Sequence, residues 1–280
     1  MTRLQRAIEE AAGTLAQAGI DSARVDAELL AAHAAGVDRG RLRFHEPDEP
    51  FYDSYRAVIA ARSRRIPLQH LTESAAFGPL LLEVGPGVFI PRPETEALLE
   101  WALRQRLSPS PLIVDLCTGS GALAAALADA TPEARVIAVE DSAAALIYAR
   151  RNCAGRAVEV IEADVTVPGL LGEHDGAVDL VVANPPYIPD GAVLEPEVAE
   201  HDPAHALFGG PDGMQIIAPI VALAARVLRD GGLVAVEHDD DTAAATVALF
   251  EASGAFDDVT SRRDLAGRPR FVTAARKGSS

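Results

Sequence analysis

From Pro111 onward, short runs rich in Val, Ile and Leu alternate with alanine-rich stretches of helical character. The runs occupy residues 112–116, 135–140, 158–161, 179–183 and 233–237, and helical segments such as 121–130 and 142–152 lie between them. Apolar runs of this length without polar alternation are strands buried on both faces, and helices between such strands imply parallel crossovers. The pattern predicts an α/β fold with a doubly wound, mostly parallel sheet. A helix over 242–253 and strands over 256–261 and 270–275 complete a count of seven strands.

The first part of the chain reads differently. Residues 2–61 carry apolar positions at three- and four-residue spacing: Leu4, Ile8, Ala11, Ala12 and Leu15, then Val25, Leu29, Leu30 and His33. Gly19 and Gly36 fall where helices end, and Asp21-Ser22 suits an N-cap. After a proline-containing acidic connection at 44–50, a third helix runs through Tyr55, Ile59 and Arg62. Arg39, Arg41, Arg43, Arg62, Arg64 and Arg65 form either a basic face or an ordinary solvated helix surface. Residues 75–90 hold three apolar pieces (76–77, 80–82 and 88–90) separated by Gly-Pro turns, the signal of a β-hairpin. Pro91-Arg92-Pro93-Glu94 then opens a helix through Leu98, Leu99, Trp101 and Leu103. The expected organisation is a helical bundle over 1–74, a hairpin connector over 75–92 and an α/β domain over 93–277, with 278–280 as a loose tail.

Charge narrows the partners. The 280 residues carry 41 acids and 25 bases, a formal charge of −16. Residues 1–75 are nearly balanced, with 10 bases and 11 acids, whereas 76–280 hold 15 bases and 30 acids. Between Arg156 and Arg226 there are twelve acids and no Lys or Arg. General affinity for nucleic-acid backbones rests on Lys and Arg, so this balance argues against it. Two cysteines, Cys117 and Cys153, provide no disulfide framework, and a reducing cytoplasm is the expected location. No stretch reaches the roughly 18 apolar residues of a membrane span, and Glu9 and Glu10 interrupt any signal peptide.

Two motifs carry chemistry. Asp115-Leu116-Cys117-Thr118-Gly119-Ser120-Gly121 is a strand entering a glycine turn that opens a helix, and Glu140 ends the next strand. Glycines admit a ligand close to the backbone, the helix N-terminus offers unpaired N–H groups, and an acid placed like Glu140 accepts ribose hydroxyls. This fits an adenosine-bearing cofactor without choosing between NAD and S-adenosylmethionine. Asn184-Pro185-Pro186-Tyr187 follows the strand at 179–183, at the carboxyl edge where ligands bind in such sheets. As a bland alternative it is a rigid turn. Its chemical reading is sharper: the Asn184 side-chain oxygen and the Pro185 carbonyl are acceptors for the two N–H bonds of a planar nitrogen. They would orient that nitrogen toward a methyl donor while Tyr187 packs on the planar group.

Together these motifs resemble those of class I S-adenosylmethionine-dependent methyltransferases. The runs Phe89-Ile90-Pro91-Arg92-Pro93-Glu94-Thr95-Glu96 and Ala206-Leu207-Phe208-Gly209-Gly210-Pro211-Asp212-Gly213 resemble, more narrowly, the protein-(glutamine-N5) methyltransferases of peptide chain release factors, the HemK/PrmC family. The resemblance spans nearly the whole chain. It implies a seven-stranded methyltransferase sheet with a small N-terminal helical domain and a connecting hairpin. It further implies methyl transfer to the side-chain amide of a glutamine in a Gly-Gly-Gln loop, with S-adenosyl-L-homocysteine as product. By position, Thr118, Gly119, Ser120 and Gly121, with Cys117 beside them, would cradle the methionine part of the cofactor. Glu140 would take the ribose, Asp164 and Val165 would border the adenine, and Asn184 would also touch the cofactor. Asn184, Pro185, Pro186 and Tyr187 would hold the glutamine, with Asn184 and Tyr187 as the catalytic pair. The sequence departs from the family pattern at Cys117, where glycine is usual, at Glu140, where aspartate is commoner, and at Thr72-Glu73-Ser74, which lacks a glycine.

Adenine-N6 methyltransferases of DNA or RNA use the same Asn-Pro-Pro-Tyr solution, but they need a basic track for the backbone. An NAD enzyme or a non-catalytic adaptor leaves the motif unexplained. His201-Asp202-Pro203-Ala204-His205 and His238-Asp239-Asp240-Asp241 contain metal-ligand types, yet methyl transfer needs no metal and none is expected. Residues 188–213 read as a long acidic loop at the rim that meets a protein substrate. Cys153 reads as a small buried apolar residue.

Overall fold

The computed structural model describes residues 1–278; Ser279 and Ser280 of the expected tail lie outside the described residues. Two compact units emerge, one formed by residues 1–74, 84–86 and 194–201, the other by 75–83, 87–193 and 202–280.

The smaller unit is helical. Helix α1 (Arg3–Gln17) opens with a reciprocal cap: Thr2 Oγ1 accepts from the Gln5 N–H at 3.2 Å while Gln5 Oε1 accepts from the Thr2 N–H at 2.8 Å. It buries Leu4, Ile8, Ala11 and Leu15. Helix α2 (Ala23–Ala35) ends at Gly36, whose left-handed backbone closes it. Its buried face is not the one its larger residues suggest. Ala23, Ala27, Ala31 and Leu30 are inside with Asp26, whereas Val25 and His33 are exposed. Small side chains on α2 let α1 approach, so methyl groups rather than branched chains fill the contact. Ser22 occupies the N-cap position but its side chain makes no capping bond.

Helix α3 (Glu49–Arg62) is capped by Asp48 and buries Phe51, Tyr52, Tyr55 and Ile59; the Tyr55 hydroxyl donates to the Ala27 carbonyl at 2.8 Å. The six arginines do not share one face. Arg39 pairs with Glu28, Arg65 donates to the carbonyls of Ala18 and Gly19, and Arg62 is buried, donating to Asp26 and Glu197 at 2.7 Å each. A short helix α4 (Leu68–Thr72) follows.

The hairpin consists of β1 (Ser74–Phe77) and β2 (Leu80–Glu83) alone. The third apolar piece, 88–90, is not a strand: it runs as coil with Val88 and Ile90 buried. Helix α5 (Thr95–Leu103) begins later than its prolines suggest; Arg92 precedes Pro93, and helical backbone is disfavoured before a proline.

The larger unit carries a seven-stranded sheet whose strands are β3 (Leu112–Leu116), β4 (Arg135–Glu140), β5 (Val158–Glu162), β6 (Val178–Ala183), β7 (Leu228–Glu237), β8 (Phe256–Arg263) and β9 (Pro269–Arg276). Their order is β5-β4-β3-β6-β7-β9-β8; the first five are parallel, and β9 runs antiparallel to both β7 and β8. Side-chain alternation distributes each inner strand between two cores. Ile113, Val136, Val182 and Ala235 join the core beneath α5 and α6 (Ala122–Ala130). Val114, Ile137, Val181 and Val236 join the core beneath α10 (Ile217–Val227) and α11 (Ala243–Ala252). Helix α7 (Ala143–Asn152) links β4 to β5. Strand order reverses between β3 and β6, so their carboxyl ends diverge into a crevice, and both motifs sit there.

Residues 188–213 are more structured than a bare loop. They contain α8 (Pro196–His201) and α9 (Ala204–Leu207), and Ile188 bridges to Phe208.

Candidate active site

Strand β3 delivers Cys117, Gly119 and Gly121 in left-handed backbone, at φ of +58°, +58° and +82°, so the chain reverses directly into α6. Cys117 adopts this conformation at a cost of about 1–2 kcal/mol that glycine avoids, yet the turn keeps its form. The resulting crevice is a cavity of about 1160 Å³ including the solvent at its mouth. Cys117, Thr118, Gly119, Ser120, Glu140, Asp164, Val165, Asn184, Pro185, Pro186 and Tyr187 all line it. Gly121 does not; it caps α6 and packs on α7.

The acids of the cavity are held in distinct states. Glu140 is buried at the end of β4, its carboxylate accepting from the Gly119 N–H at 2.8 Å and the Ser142 N–H at 2.9 Å. Burial raises its pKa against the pull of those donors. Asp115 is deeper: burial pushes it up to about 7, although Thr118 Oγ1 and the Ala124 N–H donate to its Oδ2. Its other oxygen, Oδ1, is buried without a hydrogen-bond partner. Asp164 is more open, and the Thr166 N–H lowers its pKa. His205 on α9 approaches Asp141 Oδ1 at 2.7 Å, and that hydrogen bond raises the imidazole pKa.

The Asn-Pro-Pro-Tyr run leaves β6 and is clasped from behind. A Cβ on Gly209 would lie 2.6 Å from the Pro186 carbonyl oxygen, and one on Gly213 would lie 2.3 Å from the Tyr187 carbonyl oxygen. The glycines of the 206–213 run thus let one backbone stack on another. Ile188 and Gly209 lock the pair, the Gly209 N–H donating to the Ile188 carbonyl at 2.9 Å.

Sequence reasoning missed three side chains beneath this loop. Asn184 Nδ2 donates to Thr95 Oγ1 at 3.1 Å, and the Tyr187 hydroxyl donates to Glu237 Oε1 at 3.0 Å. Thr95 and Glu237 are both buried, and Arg270 stands nearby, pairing with Asp240 at 3.0 Å. Thr95 lay in plain view within the 89–96 run; Glu237 was legible only as an acid ending a central strand.

A family model described as the PrmC N-terminal domain matches residues 6–72, and one described as the methyltransferase small domain matches residues 92–201. A release factor glutamine methyltransferase of Mycolicibacterium smegmatis is 69% identical over 277 residues, covering 99% of each chain. One from Mycobacterium tuberculosis is 62% identical over 280 residues, covering 98% of this chain and 92% of its own. Among solved structures, a release-factor-specific protein-(glutamine-N5) methyltransferase from Alicyclobacillus acidocaldarius is 28% identical, with a TM-score of 0.44, over 70% of this chain and 99% of its own.

Proposed function

Because this chain belongs to the family of release factor glutamine methyltransferases, we propose that it moves a methyl group from S-adenosylmethionine to the side-chain nitrogen of the glutamine in a Gly-Gly-Gln loop. The observation that carries the reading is the position of Asn184, Pro185 and Tyr187 on the wall of the cavity beside the glycine turn. No helix among the described residues is long and apolar enough to cross a membrane, and we place the enzyme in the cytoplasm with its release factor.

The residues present fit the cofactor. Asp115 Oδ1, buried and unpaired, suits its ammonium group, and the first N–H groups of α6 suit its carboxylate. Glu140 would accept the ribose hydroxyls, with Asp164 and Val165 beside the adenine. When bound, S-adenosylmethionine supplies an electrophilic methyl group on a sulfonium. The task left to the protein is orientation. An amide nitrogen is a poor nucleophile because its lone pair is delocalised into the carbonyl. Asn184 Oδ1 and the Pro185 carbonyl accept its two N–H bonds and turn the nitrogen toward the methyl carbon. Tyr187, anchored through its hydroxyl on Glu237, flanks the amide plane. Orientation of this kind is worth on the order of 7–11 kcal/mol relative to a free encounter. The amide proton leaves to water as the nitrogen is methylated.

The acidic surroundings favour a protein over a nucleic acid, since Glu140, Asp141 and Asp164 line the cavity and no Lys or Arg does. Labelled S-adenosylmethionine, offered with a release factor, its Gln-to-Ala variant or DNA, tests the reading. Label is expected on the release factor alone. Label on DNA, or equal label on the Ala variant, overturns it.

A further inference from the structure

An asparagine that is to accept a hydrogen bond from a substrate N–H has to present its oxygen, and its two ends are nearly the same shape. Asn184 is held by Thr95, but a hydroxyl both donates and accepts. Thr95 alone therefore does not decide which end of the amide faces the cavity.

The decision lies one residue further back. We propose that Thr95 and Glu237 are positioning residues that set the polarity of the Asn184 amide, keeping its NH2 turned into the protein and its oxygen turned to the substrate nitrogen. This rests on the reading of Asn184 given above and deepens it. Tyr187 donates to Oε1 of Glu237, Oε2 is buried without a hydrogen-bond partner, and the Thr95 hydroxyl is near enough to lower the pKa of the acid. An ionised Glu237 only accepts. The single proton of Thr95 is then drawn to Glu237, Thr95 Oγ1 is left as an acceptor, and only the NH2 end of Asn184 satisfies it. Protonation of Glu237 reverses the order. The acid becomes the donor, the Thr95 proton is released, and the Asn184 oxygen becomes an acceptable partner, which turns the NH2 toward the cavity.

The same carboxylate holds both ends of the motif, Asn184 through Thr95 and Tyr187 directly. Its surroundings set when it ionises. Burial raises its pKa to about 7; Thr95, Tyr187 and Arg270 lower it, and Glu94 raises it. Arg270 is itself shared with Asp240 and Asp264, and His238, just past the end of β7, turns its Nδ1 to the Asp239 carbonyl.

Thr95→Val keeps the shape and removes the hydroxyl. With release factor as substrate, kcat is expected to fall about a hundredfold, while KM and cofactor affinity stay within about twofold; Thr95→Ser restores most of the rate. Wild-type kcat is expected to rise with pH through about 7, and Glu237→Gln, a fixed mimic of the protonated acid, is expected to be slow and to lose that rise. A substrate-free measurement keeps this separate from the identity of the substrate. Hydrogen exchange of the Asn184 side-chain NH2, followed by 15N NMR, is expected to be slow in wild type and about tenfold faster in Thr95→Val. Unchanged exchange, a Thr95→Val enzyme at wild-type kcat, or Thr95→Ser as slow as Thr95→Val overturns the proposal. A wild-type enzyme that leaves release factor unmethylated, with exchange as expected, counts against the function alone.

Discussion

Gly121 and Cys153 face each other so closely that a methyl group on Gly121 would come within 2.9 Å of the Cys153 sulfur and 3.3 Å of Ala149 Cα. The contact ties the start of α6 to the end of α7, and the positive φ of Gly121 adds a second reason for glycine. Gly121→Ala is expected to lose about 1–2 kcal/mol to backbone strain alone and about 1–3 kcal/mol more to overpacking. Urea denaturation reads the sum; a variant as stable as wild type would show that the two helices move apart freely.

Asn184→Ala removes the acceptor at the reacting nitrogen while leaving the glycine turn and Glu140 in place. Methylation should fall by at least about a hundredfold, with cofactor affinity by calorimetry within a few-fold of wild type. Near-normal methylation would mean that the Pro185 carbonyl orients the amide unaided.

Asp115 and Glu237 are both raised by burial to about 7, far above ordinary carboxylates. Each binds its proton more tightly folded than unfolded, so each contributes stability that is full below about pH 4 and lost as pH rises through about 7. Without cofactor, the protein is expected to weaken between pH 5 and pH 8 on account of these two. The Asp115→Asn, Glu237→Gln double variant should show a flatter profile in denaturant titrations; parallel curves would assign the slope to other groups.

Arg62 is the buried hub of the helical unit, joined to Asp26 and Glu197. Arg62→Met leaves Asp26 buried without its partner, at a cost of about 3–5 kcal/mol. Thermal unfolding measures it, and a loss under 1 kcal/mol would indicate that water reaches Asp26 in the variant.

A cavity lined by the exposed Asp141 and Asp164 attracts a basic partner at long range. Raising the salt from about 0.01 M to about 0.15 M shortens that reach from about 30 Å to about 8 Å, so KM for release factor should rise with salt while kcat holds. A salt-independent KM would assign recognition to apolar contacts.

The sheet was legible because strands buried on both faces leave unbroken apolar runs, and 112–116 and 135–140 match β3 and β4 residue for residue. The glycine turn and the Asn-Pro-Pro-Tyr run were legible because each is local and sits at a strand end. What escaped was non-local or small. Thr95 lies 89 residues from Asn184, and Glu237 lies 50 from Tyr187, so nothing in the spacing joins them. On α2 the buried face is mostly alanine, which carries too little hydrophobic contrast to mark a side. Residues 88–90 are apolar because they are buried coil, and composition does not separate that from a strand.

The helical unit is built from three separate lengths of chain, because residues 84–86 and 194–201 belong to it along with 1–74. It is therefore not an appendage that a single cut removes. Cleavage after residue 74 would strand α8 without Arg62, the partner of its Glu197, and α8 is continuous in sequence with the Pro203 and His205 that line the cavity. Heredity is constrained in the same way: a recombination that exchanged only the first 74 residues would have to bring a matching α8 with it, so the first 74 residues and α8 are inherited as one.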